Sequence, residues 1–265
     1  MIVAIANQKG GVGKTTTAVN LAASLGAAEK SVLLVDVDPQ GNSTSGYGID
    51  RASIKSSVYD LFQDKDLKQV IISTRVPYVS LVPSSISLAG AEVELVGMED
   101  REFLLKRILS SVSEEEYDYI LIDCPPSMGL LTLNALTAAD AVLIPLQCEY
   151  YALEGLSHLL NTIELIRQHL NPNLFILGIL LTMFDIRNSL SSQVAEEARR
   201  HFGDLVFQTV IPRNVRLGES PSHGMPVLLY DIRSRGAQSY LDLAKEVIQH
   251  AKKSLGQRVV GPHPG

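Results

Sequence analysis

The sequence has no tryptophan, only two cysteines, and no apolar run of the length that a membrane-spanning helix needs. Cys124 and Cys148 lie far apart and have no Cys or His at ligand spacing, so neither a disulfide framework nor a zinc site is predicted. We expect both to be buried, reduced thiols. The first residues also lack the basic and apolar regions of a signal peptide. These absences together favour a cytoplasmic protein.

Positive charge is scarce in most of the chain. The net charge of −6 argues against a surface that is basic throughout. Residues 1–180 contain 12 Lys and Arg against 21 Asp and Glu, whereas residues 181–265 contain 11 against 8. Because a local cationic excess attracts the phosphates of nucleic acid, any contact with DNA is predicted in the last third of the chain.

Apolar segments of strand length alternate with segments of helical periodicity. The strand-like segments are near-continuous apolar runs, which indicates burial on both faces. They are Ile2–Ala6, Val32–Val35, Tyr119–Ile122, Ala141–Leu146, Phe175–Leu181 and Leu205–Ile211. Helical periodicity covers Thr15–Ala27, Arg101–Val112, Leu130–Ala138, Tyr151–His169, Leu190–His201 and Ala237–Lys253. This alternation predicts an α/β fold, a mostly parallel twisted β-sheet with helices on both faces.

One segment interrupts the alternation. Val70–Thr74 and Tyr78–Val82 are separated by a short Pro-containing stretch, and they are predicted to pair as a hairpin or to extend the edge of the sheet. No linker, repeat or low-complexity segment divides the chain, so we predict a single domain over residues 1–255. Residues 256–265 lack apolar periodicity and contain two prolines, and we expect a loose tail there.

A glycine-rich segment, KGGVGKTT, follows the first strand. Its glycines permit turns that bring backbone N–H groups close to a phosphate, and the N-terminus of the next helix faces the same anion. Lys14 is predicted to reach the β- and γ-phosphates of ATP or ADP, and Thr15 to bind Mg²⁺ through its hydroxyl. The predicted nucleotide-binding loop is Lys9, Gly10, Gly11, Val12, Gly13, Lys14, Thr15 and Thr16.

The loop departs from the common pattern G-x-x-x-x-G-K-[ST], because Gln8 stands where that pattern has glycine and Lys9 adds a second cation. This spelling resembles the deviant Walker A motif of the ParA/MinD family of ATPases. The resemblance implies a sandwich homodimer with ATP at the interface, in which Lys9 reaches the partner's nucleotide. A second cation there would stabilise charge that develops in the transition state. The alternative is that Lys9 is an ordinary solvated lysine.

Carboxylates follow two of the predicted strands. On an extended chain Asp36 and Asp38 face the same way, toward the carboxyl end of the sheet where α/β folds bind ligands. Asp123 ends another apolar strand, an arrangement that delivers a carboxylate to a metal. The two segments resemble the family motifs D-x-D-P-Q-G-N and D-Y-I-x-I-D-x-P-P. The resemblance implies that Asp38 orients the attacking water and that Asp36 supports the Mg²⁺ shell; the alternative is that they are turn or N-cap carboxylates.

The last predicted strand leads into the segment IPRNVRLGE. Pro212 offers an apolar face, and Asn214 offers a donor and an acceptor for the edge of adenine. The segment resembles the adenine-contacting motif of the family, and Asn214 can cap the following helix at the same time. Arg187 and Arg216 match positions that the ParA branch uses to bind double-stranded DNA without sequence preference, through phosphates. The alternative for both arginines is solvated surface charge.

The resemblance extends over about residues 1–250 and is closest to the short, chromosomal (Soj-type) ParA branch. It implies a partitioning ATPase that associates with the nucleoid and is released from DNA when a ParB-type centromere-binding protein stimulates hydrolysis. The alternative is a MinD-like membrane-cycling ATPase that positions cell division or other protein cargo. That function needs a C-terminal amphipathic helix, whereas residues 251–256 contain little apolar bulk, so no membrane partner is expected.

Overall fold

The computed structural model describes residues 1–112 and 116–259, with side chains up to residue 253. Eight strands form one sheet. They are β1 (Ile2–Ile5), β2 (Val32–Asp36), β3 (Ile72–Ser73), β4 (Val79–Val82), β5 (Tyr119–Asp123), β6 (Ala141–Gln147), β7 (Phe175–Phe184) and β8 (Val206–Pro212). Their order across the sheet is β3-β4-β2-β5-β1-β6-β7-β8. All neighbours are parallel except β3 and β4, which pair antiparallel.

Helices cover both faces of this sheet. In the described ranges they are α1 (Lys14–Ala27), α2 (Asn42–Gly46), α3 (Val58–Leu61), α4 (Leu67–Val70), α5 (Leu88–Glu94), α6 (Leu104–Leu109), α7 (Leu130–Ala138), α8 (Ala152–His169), α9 (Ser189–Phe202), α10 (Val215–Glu219), α11 (Val227–Tyr230) and α12 (Arg235–Val259). Alternate strand residues belong to two separate cores, since side chains of a strand alternate between faces. One core packs α6 to α9 and the other packs α1 and α12.

The fold class predicted from the alternation is confirmed. All six predicted strands are present, and the predicted pairing of the irregular segment is the antiparallel contact of β3 with β4. Helix prediction was less complete. The helix predicted over Arg101–Val112 is a 3₁₀ turn at Arg101–Phe103 followed by the short α6. Several helices of four to seven residues, such as α2 and α10, were missed because two turns or fewer leave no readable periodicity.

The single domain over residues 1–255 and the loose tail over residues 256–265 stay predictions. The backbone of α12 is described to Val259, and residues 260–265 of the predicted tail lie outside the described residues. Among the helices that the structure describes, none combines the length and apolar character needed to cross a bilayer.

The strand order brings the predicted site residues to one edge of the sheet. Asp36 and Asp123 are register partners at the ends of β2 and β5, and Ile5 at the end of β1 is the partner of Asp123 on its other side. The chain leaves β1 directly into the glycine-rich loop. Three neighbouring strands therefore place two carboxylates and the loop side by side at their carboxyl ends, where open α/β sheets bind ligands.

Side chains from α9 and α12 form hydrogen bonds with the backbone of the edge strand β8. The carboxylate of Glu246 on α12 accepts hydrogen bonds from the backbone N–H groups of Gln208 (2.6 Å) and Thr209 (2.9 Å). The guanidinium of Arg199 on α9 donates to the carbonyl oxygens of Phe207 (3.3 Å) and Gln208 (3.4 Å). Several polar groups of this edge are thus bonded within the chain.

Candidate nucleotide-binding site

The glycine-rich loop joins β1 to α1 with left-handed backbone at two glycines. Gly11 has φ +75° and Gly13 has φ +92°, backbone conformations that residues other than glycine rarely adopt. The carbonyl oxygen of Gly13 accepts from the N–H of Thr17 (2.8 Å), the first turn of α1. The loop thus ends at a helix N-terminus, which has free N–H donors for an anion.

Lys14 lies inside the loop. It is almost fully buried, and its ammonium donates a hydrogen bond to the carbonyl oxygen of Lys9 (3.0 Å). Burial lowers the pKa of Lys14, while the nearby acidic groups of Asp123, Cys124 and Asp38 oppose that change. A buried cation beside carboxylates and loop amides is suited to binding a phosphate chain with its metal.

A cavity of about 310 Å³ opens over the loop. Its walls include Gly10, Gly11, Gly13, Lys14, Thr15, Thr16, Asp38, Gln40, Asn42, Pro126 and Met183. The structure therefore brings most of the predicted loop and Asp38 to one space. Of the two loop residues outside this list, Val12 is buried, with its carbonyl oxygen accepting from the Thr182 hydroxyl at 2.8 Å, and Lys9 faces another neighbour.

A second cavity of about 220 Å³ continues from the first, because both are lined by Gly13, Thr16 and Met183. Pro212 and Asn214, the two residues predicted to contact adenine, are among the residues that line it. The side-chain oxygen of Asn214 accepts from the N–H of Arg216 (3.0 Å) and caps α10, which leaves the amide NH₂ as a donor. Further lining residues are Thr182, Ile211, Arg213, Leu217, Gly218 and Tyr240.

The three predicted carboxylates differ in their surroundings. Asp36 is fully buried, and its Oδ2 accepts from the N–H (2.8 Å) and the hydroxyl (2.7 Å) of Thr44. Asp123 is also fully buried and accepts from the Ser43 hydroxyl (2.8 Å). Asp38 reaches the cavity wall, and its Oδ1 accepts from the N–H of Gln40 (2.9 Å).

Burial raises the pKa of both Asp36 and Asp123. For Asp123 the charge of Asp36 adds to the rise, whereas the hydroxyls of Ser43 and Thr15 oppose it. Two carboxyl groups so close together in a buried place are costly to ionise unless a cation lies beside them.

The acidic edge fits a magnesium ion that is shared with phosphate. Asp123 Oδ1 is buried and, among the described residues, has no partner of good hydrogen-bond geometry, while the Thr15 hydroxyl faces the same carboxylate. No group of three or more His, Cys, Asp or Glu side chains in the described ranges could hold a metal alone. Mg²⁺ commonly binds through one or two protein oxygens, substrate phosphates and water, so this donor set suits it.

Lys9 forms an ion pair with Glu149 Oε1 in the loop after β6. The two side chains are 47% and 32% exposed. The backbone N–H of Lys9 donates to the Asn7 side chain (3.0 Å), which in turn donates to the carbonyl oxygen of Pro145 on β6 (2.7 Å). Both the backbone and the ammonium of Lys9 are therefore held by the β6–α8 region of its own chain.

Both predicted DNA-contacting arginines are exposed but paired. Arg187 is 85% exposed and binds Asp185 in a bidentate manner, at 3.0 and 2.8 Å. Hydrogen bonds from Arg187 lower the pKa of Asp185 to about 2. Arg216 pairs with Glu219 (2.8 Å) and Asp231 (3.3 Å). The structure does not bring Arg187 and Arg216 into contact with each other.

Several site residues were not predicted from the sequence. Ser43 and Thr44 lie on α2, a helix too short to be recognised, and they hold the two buried carboxylates. Met183 has φ +51° and lies between the two cavities. Gly48 and Gly224 touch through backbone: a Cβ on Gly48 would lie 2.7 Å from the Gly224 carbonyl oxygen, and one on Gly224 2.6 Å from Gly48 Cα. Only the glycines themselves were a signal of this contact.

A glycine-rich loop between a parallel strand and a helix, followed by buried carboxylates on neighbouring strands, defines a P-loop mononucleotide-binding fold. Residues 1–176 match the family model described as an AAA domain. The chain is 62% identical over 247 residues to the sporulation initiation inhibitor protein Soj of Bacillus subtilis, which covers 93% of this chain and 97% of Soj. It is 56% identical over 260 residues to the chromosome partitioning protein ParA of Myxococcus xanthus, covering 97% and 92%.

Solved structures agree on the fold. A cobyrinic acid a,c-diamide synthase from Mycobacterium smegmatis, with bound ATP analogue and magnesium, matches with a TM-score of 0.82 and 38% identity, covering 95% of each chain. The chain belongs to the Soj/ParA family within the ParA/MinD-type P-loop ATPases.

Proposed function

We propose that this chain is a partitioning ATPase that binds Mg-ATP, forms a homodimer, holds non-specific double-stranded DNA, and is released when a ParB-type partner stimulates hydrolysis. The observation that carries the proposal is the continuity of the site. One pair of cavities extends from the phosphate loop to Asn214, and Asn214 caps the helix that carries Arg216. The residue that contacts adenine, Asn214, and an arginine that contacts DNA, Arg216, would thus lie two positions apart at the start of α10.

Hydrolysis is assigned to the residues at the first cavity. Lys14 binds the β- and γ-phosphates together with the loop N–H groups, and Asp38 orients the attacking water. The hydroxyl of Thr15 would hold a magnesium ion, and Asp123 and Asp36 would support its ligand shell. When bound, magnesium would neutralise charge on the transferred phosphoryl group. The second cavity takes adenine, with Pro212 on its face and the Asn214 amide at its edge.

Lys9 completes the catalytic site of the partner subunit, so that hydrolysis requires the dimer. Its ammonium, on the exposed side of the loop, reaches the nucleotide of the partner subunit, as the deviant Walker A spelling implies. A cation supplied across an interface stabilises transition-state charge in the manner of an arginine finger. Dimerisation then depends on the γ-phosphate, which ATP has and ADP lacks.

DNA binding uses arginines that are already paired. Exposed ion pairs contribute only up to about 1 kcal/mol, so a phosphate of DNA can replace the carboxylates of Glu219 or Asp185. Contacts limited to phosphates give no sequence preference and weaken with salt. A dimer doubles them, which makes DNA affinity follow ATP binding. Retention of the protein on bulk chromosomal DNA, the nucleoid, follows from the same contacts.

The decisive experiment is DNA retention by gel shift with ATP, with ADP and without nucleotide, on two DNA fragments of unrelated sequence. Retention only with ATP, equal on both fragments and lost at high salt, is expected. Lys14→Ala, which removes the phosphate-binding ammonium, should abolish it. DNA binding that is independent of nucleotide would contradict the proposal. Vesicles of anionic lipid tested in parallel address the MinD-like alternative, which requires ATP-dependent lipid binding instead.

A further inference from the structure

The ion pair of Lys9 with Glu149 bears directly on the role proposed for Lys9. The lysine that should serve the partner's nucleotide has its ammonium on a carboxylate of its own chain. Glu149 belongs to the turn between β6 and α8: its N–H donates to the carbonyl oxygen of Gln147 (2.9 Å), and its carbonyl oxygen accepts from the N–H of Ala152 (3.0 Å). This turn is anchored at both ends, so the carboxylate has a fixed place beside the loop.

The loop around Lys9 is anchored to the same region. Gln8 donates to the hydroxyl of Thr162 on α8 (3.3 Å), and Asn7 links the Lys9 N–H to β6. Because these bonds hold the backbone of Lys9 in place, a change of partner would be made by its side chain alone. Rotation of the lysine side chain alone moves the ammonium away from Glu149, since a lysine side chain has four rotatable bonds.

We propose that Glu149 is a positioning residue that holds Lys9 within its own subunit and yields it to the γ-phosphate of a partner's ATP. The inference rests on the proposed role of Lys9 across the dimer. The Glu149 Oε1 atom is itself buried, but the Lys9 side chain is 47% exposed, so its ammonium can leave the pair for another anion. A terminal phosphate carries more negative charge than one carboxylate. The Lys9 ammonium therefore moves from Glu149 to the phosphate when a nucleotide-loaded partner approaches.

The consequence is a threshold for dimerisation. A subunit without a loaded partner keeps Lys9 paired with Glu149, so dimerisation carries the cost of breaking that pair in each subunit. Removing the Glu149 charge while keeping its shape should lower that threshold. The gain should depend on Lys9, because Glu149 acts through it.

The test measures the dimer dissociation constant by sedimentation velocity, with Mg²⁺ and the non-hydrolysable analogue adenylyl imidodiphosphate. Four full-length variants are compared with the unmodified chain: Glu149→Gln, Lys9→Ala, the double variant, and Glu154→Gln. Glu154 is an exposed carboxylate one turn away on α8, so its substitution is a matched control for net charge. Melting temperatures and analogue affinities verify that each variant folds and loads.

Glu149→Gln should tighten the dimer up to about 25-fold, because one partly exposed ion pair corresponds to up to about fivefold and such a pair is broken in each of the two subunits. Glu154→Gln should match the unmodified chain, and the double variant should match Lys9→Ala. The proposal is overturned if Glu149→Gln leaves the dimer unchanged or weaker, if its gain persists in the Lys9→Ala background, or if Glu154→Gln gives the same gain. If Lys9→Ala itself dimerises normally, the role of Lys9 across the dimer fails as well, and the two failures are thereby distinguished.

Discussion

The ammonium of Lys14 donates a hydrogen bond to the carbonyl oxygen of Lys9, at 3.0 Å. The lysine proposed for the subunit's own phosphates thus contacts the backbone of the lysine proposed for the partner's nucleotide. An ammonium has three donors, so Lys14 can keep this bond while it binds phosphate. Lys14 therefore also helps to fix the backbone from which the Lys9 side chain extends.

Asp38→Ala should separate ATP binding from hydrolysis. Asp38 lines the phosphate cavity and accepts from the Gln40 N–H, so its loss removes the group that orients water and one local turn bond. Turnover should fall about 10²–10⁴-fold, while an ATP-dependent dimer persists. Asp66→Ala is the control for the turn bond, because Asp66 accepts from the N–H two residues ahead at 2.8 Å on an exposed site. Steady-state ATPase assays decide; equal turnover in Asp38→Ala and the unmodified chain would refute the assignment.

Arg216→Glu should keep the dimer but lose DNA. It removes one phosphate contact and adds repulsion in each subunit, so DNA retention with ATP should fall at least ~10-fold at moderate salt. Arg167→Glu is the matched control, because Arg167 also pairs with a glutamate three residues away, Glu164 at 3.2 Å. Arg167 lies on α8, which packs on the opposite face of the sheet from α10. Equal salt-dependent retention in the two variants would place the DNA surface elsewhere.

Asp123→Asn should stabilise the nucleotide-free protein and abolish its stabilisation by Mg-ATP. The pKa of Asp123 is raised above its ordinary value of 3.8, so the folded chain binds more protons than the unfolded chain and stability falls as pH rises above about 4. Asparagine has no charge to bury, so the gain should be absent at low pH, grow with pH, and be on the order of 1–3 kcal/mol near neutrality. Thermal melts at several pH values measure it.

Asp118→Asn gives the opposite sign and serves as the control. The pKa of Asp118 is lowered, because partial burial, which raises it, is outweighed by bonds from Ser31 and Lys30. Its contribution to stability is present above its ordinary pKa and lost as the pH falls through the lowered value. The asparagine variant should therefore melt lower than the unmodified chain at neutral pH. Parallel shifts in both variants would contradict the burial argument.

Gly224→Ala should damage the chain more than Gly41→Ala. Both glycines have left-handed backbone, with φ +60° and +62°, so both substitutions carry a backbone penalty of about 1–2 kcal/mol. A Cβ at Gly41 meets the side chain of Arg51, which can turn away, whereas one at Gly224 meets the backbone of Gly48, which should add ~1–3 kcal/mol. Chemical denaturation of the two variants measures the difference, and equal losses would mean that the backbone contact gives way easily. DNA retention at limiting ATP shows whether the contact also matters for the response to nucleotide.

The part of the site that is local in sequence was readable from the sequence. The phosphate loop occupies consecutive residues, and each carboxylate ends an apolar strand. Relations between distant residues were not readable. Lys9 and Glu149 lie 140 positions apart in the sequence, and spacing gives no sign that they meet. The support of Asp123 by Ser43 depends on α2, which is too short for its periodicity to be recognised.

The side chains of Asp36 and Asp38 do not point the same way, although their spacing predicted it. On an extended chain both would face the phosphates. The strand ends at Asp36, however, and the chain turns immediately, so Asp38 lines the cavity while Asp36 bonds to Thr44. Whether both act on magnesium stays a prediction.

The bonds that Glu246 and Arg199 make to β8 bear on how copies of this protein can associate. An open strand edge is a template on which another chain can add a strand, and here four of its polar groups are already used. The opposite edge is the two-residue β3, which offers little length for pairing. Growth by continuous sheets is therefore disfavoured at both ends. Any assembly of many copies would instead use loops and helix faces.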